Sequence, residues 1–478
     1  MKRRAKIIAT LGPASQDKKT IKQLLQSGMD VARINFSHGT HQEHAQVIKS
    51  LRELSQELNR PVTILQDLSG PKIRTGAMSA GPVEIHPGDE LVLTTQEAPG
   101  TASRVHVNFP SLPGSVSPGG RILLDDGRLE LGVKKIQGTE VSTEVVQGGI
   151  LKAHKGINLP GANLEMDPLT DKDLHDLAFG LDHHVDALAL SFVRSAEDIK
   201  MLREAILKLD PGTRKIPIIA KLEHPDAIKN LHEIIHAADG LMVARGDLGI
   251  EMPPESVPIA QKRIIASANK HLCYVIVATQ MLESMISNPR PTRAEASDVA
   301  NAVLDGADAV MLSGETAIGE FPLKTVQMMD SIICQSEEHS AEWSRLDLDR
   351  TDDSSHDDAV SITRAARELA RDRDVEAVAL FTRSGRTARL MSKARPTVPI
   401  LAFTPDKVTY QYLAMLWGTT PYLIPHAESL EEMISHVDAA VIEGTPVKAG
   451  QEIVLIAGFP IHKMVLPNLA LLHTVQSI

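Results

Sequence analysis

Eight apolar runs recur along the chain, and each ends on a polar residue: AKIIAT (5–10), GMDVARIN (28–35), PVTILQD (61–67), HVDALALS (184–191), IPIIAK up to Lys221, AADGLMVAR (237–245), YVIVAT (274–279) and GADAVMLS (306–313). Near-continuous Val, Ile, Leu and Ala suit parallel strands buried on both faces. Amphipathic helical stretches such as TIKQLLQSG, SAEDIKMLREAILKL and PDAIKNLHEIIHAA lie between most of them. Eight alternating strands and helices predict a (β/α)8 TIM barrel. A doubly wound open sheet is the alternative, but eight polar strand ends favour closure. In a closed barrel those ends converge on one mouth, which brings together Thr10, Asn35, Asp67, Ser191, Lys221, Arg245, Thr279 and Ser313.

One connection breaks the rhythm. After PVTILQD the next barrel helix starts only near Thr170, and the chain between is dense in Gly and Pro with short alternating runs such as VEIHPGDELVLTT. This predicts a small β-barrel domain over 76–167, inserted in a βα loop at the mouth and placed to act as a lid. A decorative insertion is the plainer reading. The barrel is then expected over 1–75 and 168–345. Residues 341–358, AEWSRLDLDRTDDSSHDD, read as a linker, and 346–478 as a C-terminal α/β domain with a mostly parallel sheet and a regulatory role.

The chain has 478 residues and a formal charge of −11, which argues against a general nucleic-acid binder. Two isolated cysteines, Cys273 and Cys334, support neither a disulfide framework nor a zinc knuckle. No apolar run suffices for a signal peptide or a membrane span, so a cytoplasmic protein with no membrane partner is expected.

The stretch IPIIAKLEH puts Lys221 and Glu223 on one face of a strand end, since i and i+2 share a face. A surface ion pair is the plainer reading, but at a mouth the two become candidate chemistry. Glu223 and Asp247, in LMVARGDLGIEM, form an oxygen-rich pair of the kind Mg2+ prefers; a structural ion-pair network is the alternative. Gly246 allows close backbone approach of a carboxylate or phosphate. Arg33 in VARINFSHG and Arg74 in DLSGPKIRTG suit a phosphoryl group. With Lys221 and a metal they compose a phosphoryl-transfer pocket, to which Lys155 in KGINLPG adds a candidate phosphate contact. GxxxxGK[ST] is missing, so this is not a P-loop enzyme.

The motifs LGPAS, VARINFSHG, DLSGPKIRTG, KGINLPG, IIAKLEH, LMVARGDLGIE, ATQMLESM, PRPTRAEASDVANAVLDGAD and LSGETA, in that order over 9–317, resemble the pyruvate kinase family. The resemblance implies transfer of a phosphoryl group from phosphoenolpyruvate to ADP, giving pyruvate and ATP, followed by enolate protonation. It implies Mg2+ on Glu223 and Asp247, a second Mg2+ arriving with the nucleotide, Lys221 on the moving phosphoryl group and Arg33 and Arg74 holding it. Thr279 would lie beside the proton path, and Gly246 and Asp247 would contact substrate. Asn35, Ser37, His38, Asp67, Lys72, Arg74 and Lys155 would make the nucleotide and cation site, and Asp126 a lid contact. In potassium-requiring relatives the position of Lys72 usually holds Glu, so K+ is expected to be dispensable here. FTRSGRTARL resembles an effector phosphate loop, with Thr382, Ser384, Arg386 and Thr387 as contacts for a sugar phosphate. A helix-capping turn is the plainer reading there. AGFPIHKMVLPN stands where many relatives have a Gly-rich loop, which favours a monophosphate over a bisphosphate. A homotetramer is expected. The competing functions are a barrel lyase acting on the same substrates and a catalytically silent ligand sensor; ATP formation separates both from a kinase.

Overall fold

The computed structural model describes residues 3–162, 166–212, 215–343, 357–463 and 465–477. All eight apolar runs are strands: β1 (Lys6–Leu11), β2 (Val31–Asn35), β3 (Thr63–Asp67), β4 (Ala187–Leu190), β5 (Ile218–Leu222), β6 (Gly240–Ala244), β7 (Tyr274–Ala278) and β8 (Ala309–Leu312). They are parallel and close into a barrel in sequence order, with β1 pairing both β2 and β8. Alternation explains the double burial. Ile7, Ala9, Ala32, Ile64 and Ile218 belong to the core under the helices, whereas Ile8, Val31, Leu65, Ile219 and Met242 belong to a second, interior cluster. Each fully buried aliphatic side chain contributes about 1.5–3 kcal/mol.

The same parity sets up the mouth. Val31, Arg33 and Asn35 share a face, as do Leu65 and Asp67, and Ile219, Lys221 and Glu223. In β2, β4, β5 and β8 the inward row is apolar at its start and polar at its end, on Asn35, Ser191, Lys221 and Ser313.

Between β3 and β4 the chain builds a six-stranded sheet, from Glu90–Thr94 to Ile157–Asn158, and a two-stranded ribbon of Val83–Ile85 with Gly149–Leu151. Ile85, Leu91, Leu131, Val141 and Leu151 are among the residues of its separate core.

The C-terminal sheet runs Thr419–Leu423, Ile400–Thr404, Val378–Phe381, Glu452–Ala457, Leu469–Thr474; only the last strand is antiparallel. The first of these strands was not legible in the sequence, because TTPYL carries Pro421; it is an edge strand, where a missing N–H is tolerated. The linker also differs from expectation. A helix covers Ser340–Trp343, and another starts at Asp358, capped by Asp357, whose side chain accepts the Ala359 N–H at 2.9 Å. The remainder of that linker, 344–356, lies outside the described residues. Buried ion pairs join this domain to the barrel end opposite the mouth: Lys393 and Arg395 reach Asp308, just before β8, at 2.8 and 2.6 Å.

Candidate active site

Four charged side chains form a continuous buried chain inside the mouth. Arg33 donates from Nε to Asp67 Oδ2 at 2.7 Å and from Nη1 to Thr10 Oγ1 at 2.8 Å. Asp67 Oδ1 lies 3.1 Å from Lys221 Nζ, and Lys221 Nζ lies 2.9 Å from Glu223 Oε1. Lys221 also donates to Ser191 Oγ at 2.7 Å, so its three ammonium donors are engaged. The Ser191 hydroxyl in turn donates to the Leu68 carbonyl, and Glu223 Oε2 accepts the Phe192 N–H, both at 2.7 Å. Lys221 and Glu223 are therefore not a surface pair: both are buried.

The electrostatics follow from that burial. Loss of water alone would push Lys221 down, but Asp67 and Glu223 outweigh it and hold the ammonium charged above its ordinary range. Burial would raise Asp67, yet Lys221 and Arg33 keep it below the usual carboxylate value. Glu223 goes the other way. Burial raises it, Lys221 only partly compensates, and Asp247 adds like-charge repulsion. A site with a surplus of anion on the Glu223–Asp247 side suits a hard divalent cation. Glu251 is close by: burial and Asp247 raise it, Asn158 of the inserted domain donates to its Oε1 at 2.8 Å, and its buried Oε2 has no hydrogen-bond partner among the described residues.

Asp247 and Gly246 sit in the first turn of the helix Arg245–Glu251. The Gly246 N–H is already used, donating to Thr279 Oγ1 at 2.7 Å, while the Thr279 hydroxyl donates to the Ala278 carbonyl at 2.7 Å. Thr279 has φ +66°, a left-handed conformation rare for a β-branched residue and worth about 1–3 kcal/mol of strain. Arg245 clamps this turn, donating from Nη2 to the Thr279 carbonyl at 2.7 Å and pairing with Asp298 at 2.5 Å.

On the opposite side, Asn35 Oδ1 accepts the Ser37 N–H at 3.1 Å, and Asn35 lies in register with Asp67. His38 is held below its ordinary pKa by burial and then by Arg74, Lys72, Arg33 and Lys172, which marks this rim as cationic. Lys172 was not singled out in the sequence; it donates to the Phe36 carbonyl at 2.6 Å. The other predicted cations do not join the buried chain. Arg74 donates to the His154 carbonyl at 3.1 Å, and Lys155 pairs with Asp125 at 2.7 Å. Lys72 lies against Gly156 and lines a cleft of about 710 Å³ together with Asp126, Arg245, Gly246 and Asp247. Asp126, from the inserted domain, therefore faces the same space as Asp247 from the barrel.

In the C-terminal domain, Thr382, Ser384, Arg386 and Thr387 line a cleft of about 210 Å³ that Lys463 and Val465 also border. The helix Arg386–Ala394 is capped by Gly385, at φ +79°, with no side-chain cap; Thr382 Oγ1 accepts the Gly385 N–H at 3.0 Å. Met464, in the segment expected to decide the effector, lies outside the described residues. Among the described residues no helix is long and apolar enough to cross a membrane.

The chain is similar to known proteins over nearly its whole length. A family model for the pyruvate kinase barrel domain matches residues 2–326, and one for the pyruvate kinase alpha/beta domain matches 360–473. A pyruvate kinase of Geobacillus stearothermophilus is 44% identical over 481 residues, covering 100% of this chain and 81% of that protein. One of Mycobacterium tuberculosis is 44% identical over 476 residues and covers 99% of both. The crystal structure of a pyruvate kinase from Cryptosporidium parvum superposes with a TM-score of 0.92 at 35% identity, covering 99% of this chain and 96% of that one. The chain belongs to the pyruvate kinase family.

Proposed function

We propose that the barrel mouth moves the phosphoryl group of phosphoenolpyruvate to ADP with cations built into the chain, needing Mg2+ but no K+. The glycolytic phosphotransferase activity itself goes with the family. The observation that carries the assignment of residues is the buried run Arg33–Asp67–Lys221–Glu223. Arg33, fixed by Asp67 and Thr10, holds a guanidinium ready for phosphoryl oxygens without reorganisation. Lys221 stabilises the group in flight; because its donors are engaged, it must exchange one of its three partners for the phosphoryl group as substrate binds. Glu223 and Asp247 would hold Mg2+, which when bound supplies a Lewis acid for phosphoryl and enolate oxygens. Thr279 orients the region of enolate protonation; its proton is committed to a carbonyl, so water is the better acid. A second Mg2+ with the nucleotide, a homotetramer and a cytoplasmic setting complete this reading.

Lys72 supports independence from K+. A fixed ammonium in the cleft beside Asp247 supplies positive potential that a monovalent ion would otherwise bring, and it repels such an ion. Lys72→Glu is expected to lower turnover about tenfold and to make it rise on addition of K+. Steady-state rates with and without K+ in an organic-ammonium buffer test this, and a variant indifferent to K+ contradicts it.

For the C-terminal cleft, a sugar monophosphate held by Thr382, Ser384, Arg386 and Thr387 should lower the apparent KM for phosphoenolpyruvate. Arg386 stands at the N-terminal turn of its helix and pairs with Asp357, which a phosphate would displace. Arg386→Ala and Thr387→Ala should abolish that response while leaving the basal rate unchanged. A response of full size in both variants places the effector elsewhere.

A further inference from the structure

Three histidines meet at the barrel end opposite the mouth. His232 and His236 belong to the helix Leu231–Ala237, which leads into β6, and His271 caps the helix Val257–Lys270, which leads into β7. One ligand atom from each lies within 4.8 Å of the other two. His232 Nε2 and His236 Nε2 are 3.4 Å apart. Two nitrogens bonded at about 2.0–2.1 Å to a tetrahedral metal are separated by about 3.3–3.4 Å. The rings of His232 and His236 each stand nearly perpendicular to that of His271, at 89° and 85°. His271 places Nδ1 2.8 Å from the Ser267 carbonyl. Only Nδ1–H can serve that acceptor, so the neutral ring carries its lone pair on Nε2, the tautomer a metal requires.

The sequence contains the matching spacing. LHEIIHA fits H-E-x-x-H, which puts two imidazoles on one helical face. In hydrolytic enzymes the glutamate of that motif acts as base beside the metal. Here Glu233 Oε1 instead accepts the Ala196 N–H of the neighbouring helix at 3.4 Å, and His232 and His236 are exposed. The geometry points to a bound ion without a hydrolytic base.

We propose that His232, His236 and His271 bind one divalent transition metal of the Zn2+ class, with a solvent molecule as fourth ligand. Three imidazoles select Zn2+, Ni2+ or Cu2+ over Mg2+, which takes oxygen donors, so this site and the mouth do not compete for one ion. The metal joins two successive βα units. It does so beside the domain interface, where Lys393 donates to Asn269 at 2.6 Å, two positions before His271.

The test uses the full chain, stripped with chelator and kept in saturating Mg2+. Zn2+ is titrated calorimetrically and Co2+ by its visible absorption. The wild type should take up one Zn2+ per chain, show tetrahedral Co2+ bands and unfold at higher temperature with Zn2+ present. His236→Gln and His271→Gln should each weaken Zn2+ binding at least about tenfold and lose the Co2+ bands. Their circular dichroism and Mg2+-supported activity should stay unchanged. A variant isotherm that superimposes on the wild-type isotherm, or a wild type that takes up no Zn2+, overturns the proposal.

Discussion

Lys221→Met is expected to reduce ATP formation by on the order of 10²–10³-fold or more, while exchange of pyruvate C3 protons with solvent partly survives. The ammonium bridges Asp67 and Glu223, and it is assigned to the phosphoryl group in flight. The enolate is assigned instead to the Glu223–Asp247 side, whose carboxylates the substitution does not remove. A second effect accompanies the first. Lys221 is what restrains the rise of Glu223, so in the variant burial and Asp247 push that carboxyl further up. Protons then compete more strongly with Mg2+ for Glu223, so the variant should need more Mg2+ than the wild type, and progressively less as pH rises. Removing one partner of a buried ion pair costs about 3–5 kcal/mol, less where another cation remains, as Arg33 does for Asp67. Thermal unfolding of the variant therefore accompanies the kinetics. ATP formation and proton exchange lost in equal measure by a folded variant would defeat the division of roles.

Replacing residues 76–167 by a short Gly/Ser linker is expected to lower turnover on the order of 10²-fold or more, with the barrel still folded and able to bind Mg2+. The inserted domain has its own core, and its removal takes no side chain from the barrel interior. What it removes is the far wall of the mouth: Asp126 in the cleft with Asp247, Asn158 on Glu251, and Lys155. Without that wall, water reaches the phosphoryl group and the buried charges gain solvent screening. Asp126→Ala is the gentler companion, which separates loss of one contact from loss of closure. Near-normal turnover in the linker variant would make the insertion ornamental.

The barrel was legible because its strands carry two signals at once, an apolar run and a polar end, and parity then decides which side chains face inward. Asp67 and Lys221 follow from the strand ends and Glu223 from its i, i+2 relation to Lys221, whereas Arg33 rests on residue type and motif. Their partners were not legible in this way. Lys221 meets Ser191 and Asp67 from other strands, and only the lateral register of a closed sheet brings these together. Arg245 shows the same limit: its position at a strand end was evident, its grip on the Thr279 carbonyl was not. Glu251 and Lys172 were passed over because neither ends an apolar run. Arg74 looked equivalent to Arg33 in type, but the chain has left the barrel by then, and its guanidinium rests on the His154 carbonyl. The histidine cluster was hidden inside PDAIKNLHEIIHAA, where the hydrophobic period reads as an ordinary amphipathic helix. Its third member comes from a different helix, and only the fold supplies that neighbour.

The most direct measurement is the wild-type rate of ATP formation from phosphoenolpyruvate and ADP, with Mg2+ and tetramethylammonium as the only cations, before and after adding K+. Full activity with one ATP per pyruvate, unchanged by K+, is the predicted result. An enzyme inactive until K+ is added, or pyruvate appearing without ATP, would contradict the account of a mouth that carries its own cations.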